Sequence, residues 1–254
     1  KDYFLANIPV KGIQYLDFVS QKKGKTTVWI TIGITANLEA MSLPNAPFGG
    51  FWFEKGLNST VLEDFLKSVI EDLQRRGVKR LTINQPPKAY VLQSDLVNYL
   101  LFKAGFKLKN VLSHQFFCGA KKIKKFLDSE SPKIRKQMKE NGLVANHKPI
   151  SNFDFLKKIK QWNTSKGYEF TVNEANLIQQ VSDYPERYFL ISLQKGEQII
   201  GYALAVFLTT NSVYYYLSAL DSCKEAKGGG DFILLELFLL AREKKVDFID
   251  LGSS

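Results

Sequence analysis

An α/β protein of two similar halves, each a mixed, largely antiparallel sheet flanked by helices, is the fold class that the sequence predicts. Three observations carry it. Alternating β-branched and aromatic runs fill residues 26 to 53 and again 188 to 220, the pattern of half-buried strands. Each set runs through a glycine-bearing turn into an amphipathic helix and then a short apolar strand. The helix-strand units also keep a register: Val78 and Val246 lie 168 positions apart, and the same offset pairs Phe65 with Ile233, Leu66 with Leu234, Val69 with Leu237 and Ile70 with Phe238. Any two helix-strand units would match such stripes, so the order of elements is the stronger sign of duplication.

In the first half, TTVWITIGI (26 to 34) alternates as a strand, LEAMSL (38 to 43) extends the ladder, and GGFWF (49 to 53) adds a short aromatic strand after the turn SLPNAPFGG. The next helix is expected to be capped by Ser59 or Thr60, with Glu63 completing a capping box. Its apolar positions are Leu62, Phe65, Leu66, Val69, Ile70 and Leu73, and it stops before Gly77. KRLTIN (79 to 84) reads as a buried strand. After Pro86-Pro87, a second helix uses Leu96, Val97, Leu100, Leu101 and Ala104 and ends at Gly105, the residue type favoured just past a helix end. Strands at about 106 to 112 and 114 to 118 are expected to close this half, giving a first domain over 1 to 118.

Residues 119 to 149 read as a basic connector holding SPKIRKQMKENGL, one short exposed helix before Gly142. The second domain then spans 150 to 254. Helices over about 153 to 166 and 174 to 182 precede YFLISLQ, IIGYALAVFL and VYYYLSAL, an antiparallel meander over 188 to 220. A loop ending in Gly228, Gly229 and Gly230 leads into the helix DFILLELFLLAREKK, and VDFIDL is the last strand.

Composition narrows the chemistry. With 45% hydrophobic and 24% charged residues in 254, the chain can bury an ordinary core. No apolar run approaches the roughly 20 residues that span a bilayer, and the start lacks the order of a signal peptide, so a cytoplasmic protein is expected. Cys118 and Cys223 form no CxxC pair and read as structural. His114 and His147 supply neither clustered metal ligands nor a Ser/His/Asp order, so no metal is expected. Charge is uneven: residues 121 to 160 hold twelve Lys/Arg against four Asp/Glu, a net +8 of the chain's +10. That segment suits a phosphate-rich partner or is a solvated surface.

The helix-Gly105-Phe106 step, the second-half series IIGYALAVFL, tyrosine-rich strand, glycine turn and helix, and the basic segment SPKIRKQMKENGL together resemble the GNAT N-acyltransferase superfamily, in the tandem form of FemABX-type aminoacyltransferases. The resemblance covers nearly the whole chain. It implies two tandem GNAT-like domains and transfer of an acyl or aminoacyl group from acyl-CoA or aminoacyl-tRNA to a small or peptide-like amine acceptor held between the halves. It also implies a further helix and two strands beyond VDFIDL, so the second domain reads as incomplete at its end. Where the family's donor loop carries Gln or Arg, Glu225 precedes Gly228 and Gly230.

Three groups of residues could carry this chemistry. KEAKGGGD (224 to 231) combines Gly228, Gly229 and Gly230 with a helix start. Glycine lets backbone N–H groups converge and a helix N-terminus favours an anion, so the turn is expected to be exposed and to bind donor phosphates, aided by Lys224 and Lys227. The alternative is a plain loop. Acyl transfer needs positioning between splayed strands more than a nucleophile, and the resemblance implies a tyrosine that protonates the leaving group. Tyr214 and Tyr216 share one face of their strand, with Tyr215 on the other, and Asp250 is a candidate base near a strand end. Ordinary strand filling also explains the tyrosines, and a turn or cap role explains Asp250. Phe48 and Gly49 in SLPNAPFGG, Glu54 just beyond it, and Tyr90 could shape an acceptor pocket. A non-catalytic binding module with a degenerate donor loop is the rival reading.

Overall fold

The computed structural model describes residues 11–44, 46–91, 93–222 and 228–253. The chain divides into two compact units, within Asn7–Val111 and Leu112–Ser254.

In the first unit, β1 (Ile13–Lys22), β2 (Lys25–Thr35), β3 (Glu39–Ser42) and β5 (Arg80–Thr82) lie side by side in that order, while β4 (Trp52–Phe53) pairs with β2. The pairs β1/β2 and β2/β3 are antiparallel; β3/β5 is parallel. Between β3 and β5 the chain forms α1 (Ser59–Arg75), and α2 (Ser94–Lys103) follows. Strand alternation turns Val28, Ile30, Ile32 and Ile34 inward, where they meet Leu62, Leu66, Val69 and Leu73 of α1 and Val97, Leu100 and Leu101 of α2. Burying one such side chain contributes about 1.5–3 kcal/mol.

The second unit contains β6 (His114–Cys118), α3 (Ala120–Glu140), β7 (Leu143–Pro149), α4 (Asp154–Ser165), α5 (Glu174–Asp183), β8 (Tyr188–Lys195), β9 (Gln198–Thr209), β10 (Ser212–Leu220), α6 (Gly229–Glu243) and β11 (Phe248–Ser253). Its sheet runs β6-β11-β10-β9-β8-β7, antiparallel except for β10/β11. One face packs on α6 and α3 through Ile191, Leu193, Ala203, Val213, Ile249, Ile233, Leu237, Ile123 and Leu127. The other carries α4, where Phe155 and Trp162 meet the Tyr202 ring, and α5, whose Gln180 accepts the Tyr188 hydroxyl proton. Both units therefore share one series: three antiparallel strands, a helix, and a strand parallel to the third.

Several expectations are corrected. Asn58 caps α1, accepting from the Thr60 N–H at 2.8 Å; Glu63 faces outward and pairs with Lys67 and Lys103, each at 3.0 Å. Residues 106 to 112 form no strand, because only Phe106 has a core to pack on, while Leu108, Val111 and Leu112 are 82%, 78% and 68% exposed. Residues 114 to 118 do form a strand, but it pairs with β11 in the second sheet. The expected short exposed helix is the 21-residue α3, which buries Ile123, Leu127 and Met138 and includes Pro132. Pro132 is exposed, so the carbonyl it leaves unbonded can turn to water. The sequence reading passed over β1 and β7. The β1/β2 hairpin turns on Lys23 and Gly24, both at positive φ, the geometry of the tightest hairpins. Cys118, read as structural, is exposed.

Candidate functional site

Pairing between the parallel strands β10 and β11 covers only Ser212–Phe248, Val213–Ile249 and Tyr214–Asp250, although β10 runs on to Leu220 and β11 to Ser253. The two strands part beyond Tyr214. On its other side, β10 shifts register against β9 between Tyr215 and Leu217, leaving Tyr216 at a bulge, a feature that re-aims side chains beside functional sites.

Across this region runs a row of direct cross-strand neighbours: Tyr188 on β8, Val206 on β9, Tyr214 on β10, Asp250 on β11 and Phe116 on β6. Direct partners share a face. That face is opposite α6, since Val213, Tyr215 and Ile249 pack into the α6 core. The Tyr214 and Tyr216 rings lie 5.8 Å apart, while Tyr215 packs on the α6 side. Burial, then the Asp250 carboxylate and the neighbouring Tyr216, push the Tyr214 hydroxyl up to about 12. Burial also raises Tyr216, and Tyr188 is raised by burial and by Tyr216. All three stay neutral hydrogen-bonding groups at ordinary pH.

Asp250 is the cross-strand partner of Tyr214 and is fully buried. Its Oδ1 accepts the Gly252 N–H at 2.8 Å and lies 3.4 Å from Nδ1 of His114. His114 is the residue that sequence reasoning missed: its partner is 136 positions away, and no local spacing announces the pair. Gly252 sits at φ +89, and a Cβ there would come 3.8 Å from the Tyr214 ring.

The glycine turn divides into three environments. Gly228 is the N-cap of α6 at φ +78 and, as glycine, supplies no side-chain cap. Gly229 is buried, and a Cβ on it would stand 2.7 Å from Leu193 Cδ2 and 3.0 Å from Leu220 Cδ2. The expectation of an exposed turn is wrong there, because the first residue of α6 closes directly on β8 and β10. Gly230 faces open space. Lys224 and Lys227 lie outside the described residues. A cation the sequence reading did not single out, Lys166, is exposed and donates to the Leu220 carbonyl at 2.6 Å, at the end of β10 that Gly229 packs against.

In the first unit, Phe48 is buried and its ring lies 4.7 Å from Tyr90 and 6.5 Å from Trp52, which stacks on Trp29 at 6.4 Å. The loop carrying it is pinned: Gly49 donates to the Asn84 carbonyl, Asn84 N–H donates to Ser42 Oγ, and Asn84 Nδ2 donates to the Pro47 carbonyl. Gly49 is needed there, since a Cβ would lie 2.9 Å from Ser42 backbone atoms. Phe48, Gly49 and Tyr90 are thus brought together. Glu54 is engaged with β2, its N–H donating to Thr27 and its carboxylate pairing with Lys25 at 2.5 Å. No cluster of metal-ligating side chains occurs among the described residues, and no helix among them is long and apolar enough to cross a membrane.

No family model and no curated protein matches this sequence. Solved structures do match in fold. FemX superposes with a TM-score of 0.66 at 13% identity, covering 96% of this chain and 80% of FemX. The C-terminal domain of a protein described as a lysylphosphatidylglycerol synthetase from Agrobacterium fabrum gives 0.62 at 15% identity, covering 96% and 71%. L-PGS from Bacillus licheniformis gives 0.59 at 12%, covering 95% and 68%. The chain shares its fold with these structures, FemX among them, as its element order implied.

Proposed function

We propose that this chain transfers an acyl or aminoacyl group from acyl-CoA or aminoacyl-tRNA to an amine. The parting of β10 and β11 beyond Tyr214–Asp250, with two neutral tyrosines on one face, carries this reading. An acyl carbonyl laid there would find unpaired strand edge for hydrogen bonding and a phenol for its leaving group. The donor's phosphates would lie at the start of α6, where a Cβ on Gly228 or Gly230 would meet open space among the described residues and Lys166 adds a cation. The solved neighbours support an acyltransferase fold and leave the donor open. Thermal shift with coenzyme A, acetyl-CoA and aminoacyl-tRNA, followed by turnover with primary amines, tests the reading. A donor that binds tightly enough to saturate at 100 times its Kd stabilises by about 2.7 kcal/mol. A protein stabilised by no donor, and inactive with all of them, is a binding module of another kind.

A further inference from the structure

We propose that His114, held by the buried carboxylate of Asp250, is the general base that takes a proton from the attacking amine. The inference rests on the acyl-transfer reading but on a residue that reading does not use. Asp250 has no exposed surface, and a buried carboxylate is kept by the donors around it. Two of these donors are identified, the Gly252 N–H and the His114 ring at Nδ1. A carboxylate accepting at Nδ1 fixes the tautomer that leaves Nε2 with its lone pair. The His114 ring is further set by Phe116, which lies parallel to it within 17° at 5.9 Å. Its side chain keeps 16% of its surface, enough to be reached from outside.

His114 and Phe116 are two apart on β6, and Phe116 is the direct partner of Asp250, itself the partner of Tyr214. Imidazole, carboxylate and phenol thus share one face where β10 and β11 part. The other titratable groups on the strands of this face include Tyr216 on β10, Tyr202 on β9, Tyr188 on β8, Lys148 on β7 and Cys118 at the far end of β6. A neutral primary amine attacking the acyl carbonyl forms the N–C bond as the C–S bond of a thioester, or the C–O bond of an ester, breaks. Nε2 of His114 takes the proton leaving nitrogen, and Tyr214 gives its hydroxyl proton to the departing sulfur or oxygen. A proton passed from His114 to Tyr214 through solvent restores both.

Two measurements test this. Nitrogen-15 spectra of the intact chain at neutral pH should show His114 as the Nδ1–H tautomer; the Nε2–H tautomer overturns the inference without any substrate. In turnover with a donor that passes the thermal-shift test, His114→Gln should lower kcat about 100-fold or more, the scale of general-base catalysis, with KM little changed. Added imidazole should restore part of the rate to His114→Ala. An active wild type with unimpaired His114→Gln overturns the base alone, whereas a wild type inactive with every donor overturns the acyl-transfer reading and the base with it.

Discussion

A hydroxyl that delivers a proton to a leaving group must itself be protonated, and burial holds Tyr214 in that state up to about pH 12. Tyr214→Phe keeps the ring and removes only the proton donor. Its kcat should fall at least about 100-fold with the donor bound as before, as measured by steady-state kinetics beside donor titration. The same shift has a stability sign. The folded value lies above the ordinary 10, so the hydroxyl's contribution is complete below about pH 10 and is lost as pH rises toward 12. Tyr214→Phe should therefore lose less stability than the wild type between those limits in alkaline denaturation. The glycines of the turn separate just as sharply. Gly229→Val drives a branched side chain into Leu193 and Leu220 and should destabilise by about 1–3 kcal/mol. Gly230→Ala enters open space inside a helix and should stabilise by up to about 1 kcal/mol. Thermal denaturation of the two variants distinguishes a packed first turn from a loose loop.

At the scale of elements, His147 pins edge strand β7 to α6. Its Nδ1 lies 2.9 Å from Glu236 and its Nε2 3.1 Å from Glu243. The hydrogen bond to Glu236, then that to Glu243, raises His147 above its ordinary 6.5 against burial, and the His147 bond lowers Glu243 below 4.5. The histidine contribution is complete below about 6.5 and lost as pH rises through its raised folded value. The Glu243 contribution is complete above about 4.5 and lost as pH falls through its lowered one. His147→Gln should thus destabilise more at pH 6 than at pH 9 in urea titrations. On α3, Lys121, Lys122, Lys124 and Lys125 crowd a helix start with no acidic residue in its first turn, where cations are unfavourable. Replacing all four with Gln should leave the fold as stable or slightly more so. If the donor is aminoacyl-tRNA, the same change should weaken RNA binding and flatten its salt dependence by up to about three in slope; equal slopes exclude α3 as the contact. Elements with strong local periodicity were legible in the sequence: α1, α2, α4, α6 and the β8–β10 meander lie within a few residues of expectation. Those defined by a distant partner were not. β7 reads LVANHKP and is a strand because β8 pairs along all of it, and His114 gains its meaning from Asp250.

For the whole molecule, the informative segment is 112 to 118, which local sequence attached to the first half. Two observations attach it to the second unit. β6 pairs antiparallel with β11 at Phe248, Ile249 and Asp250, and Phe117 packs its ring against Phe126 of α3 at 5.6 Å and Phe238 of α6 at 4.9 Å. Gly119 also donates to the Asp247 carbonyl at 2.7 Å, tying the entry of α3 to the start of β11. Without β6, β11 becomes an edge strand with a row of unpaired backbone groups, and the Asp250 carboxylate loses its imidazole donor. A fragment of residues 112 to 254 should therefore fold cooperatively, while one of residues 119 to 254 should lose the partial burial of Phe117, less than the roughly 1.5–3 kcal/mol of a fully buried side chain, and with it the strand's ladder. The shorter fragment should melt at least several degrees lower and associate at its exposed edge. Calorimetry and sedimentation of the two fragments decide it: equal melting temperatures and a monomeric shorter fragment would show that β6 is dispensable to the second unit.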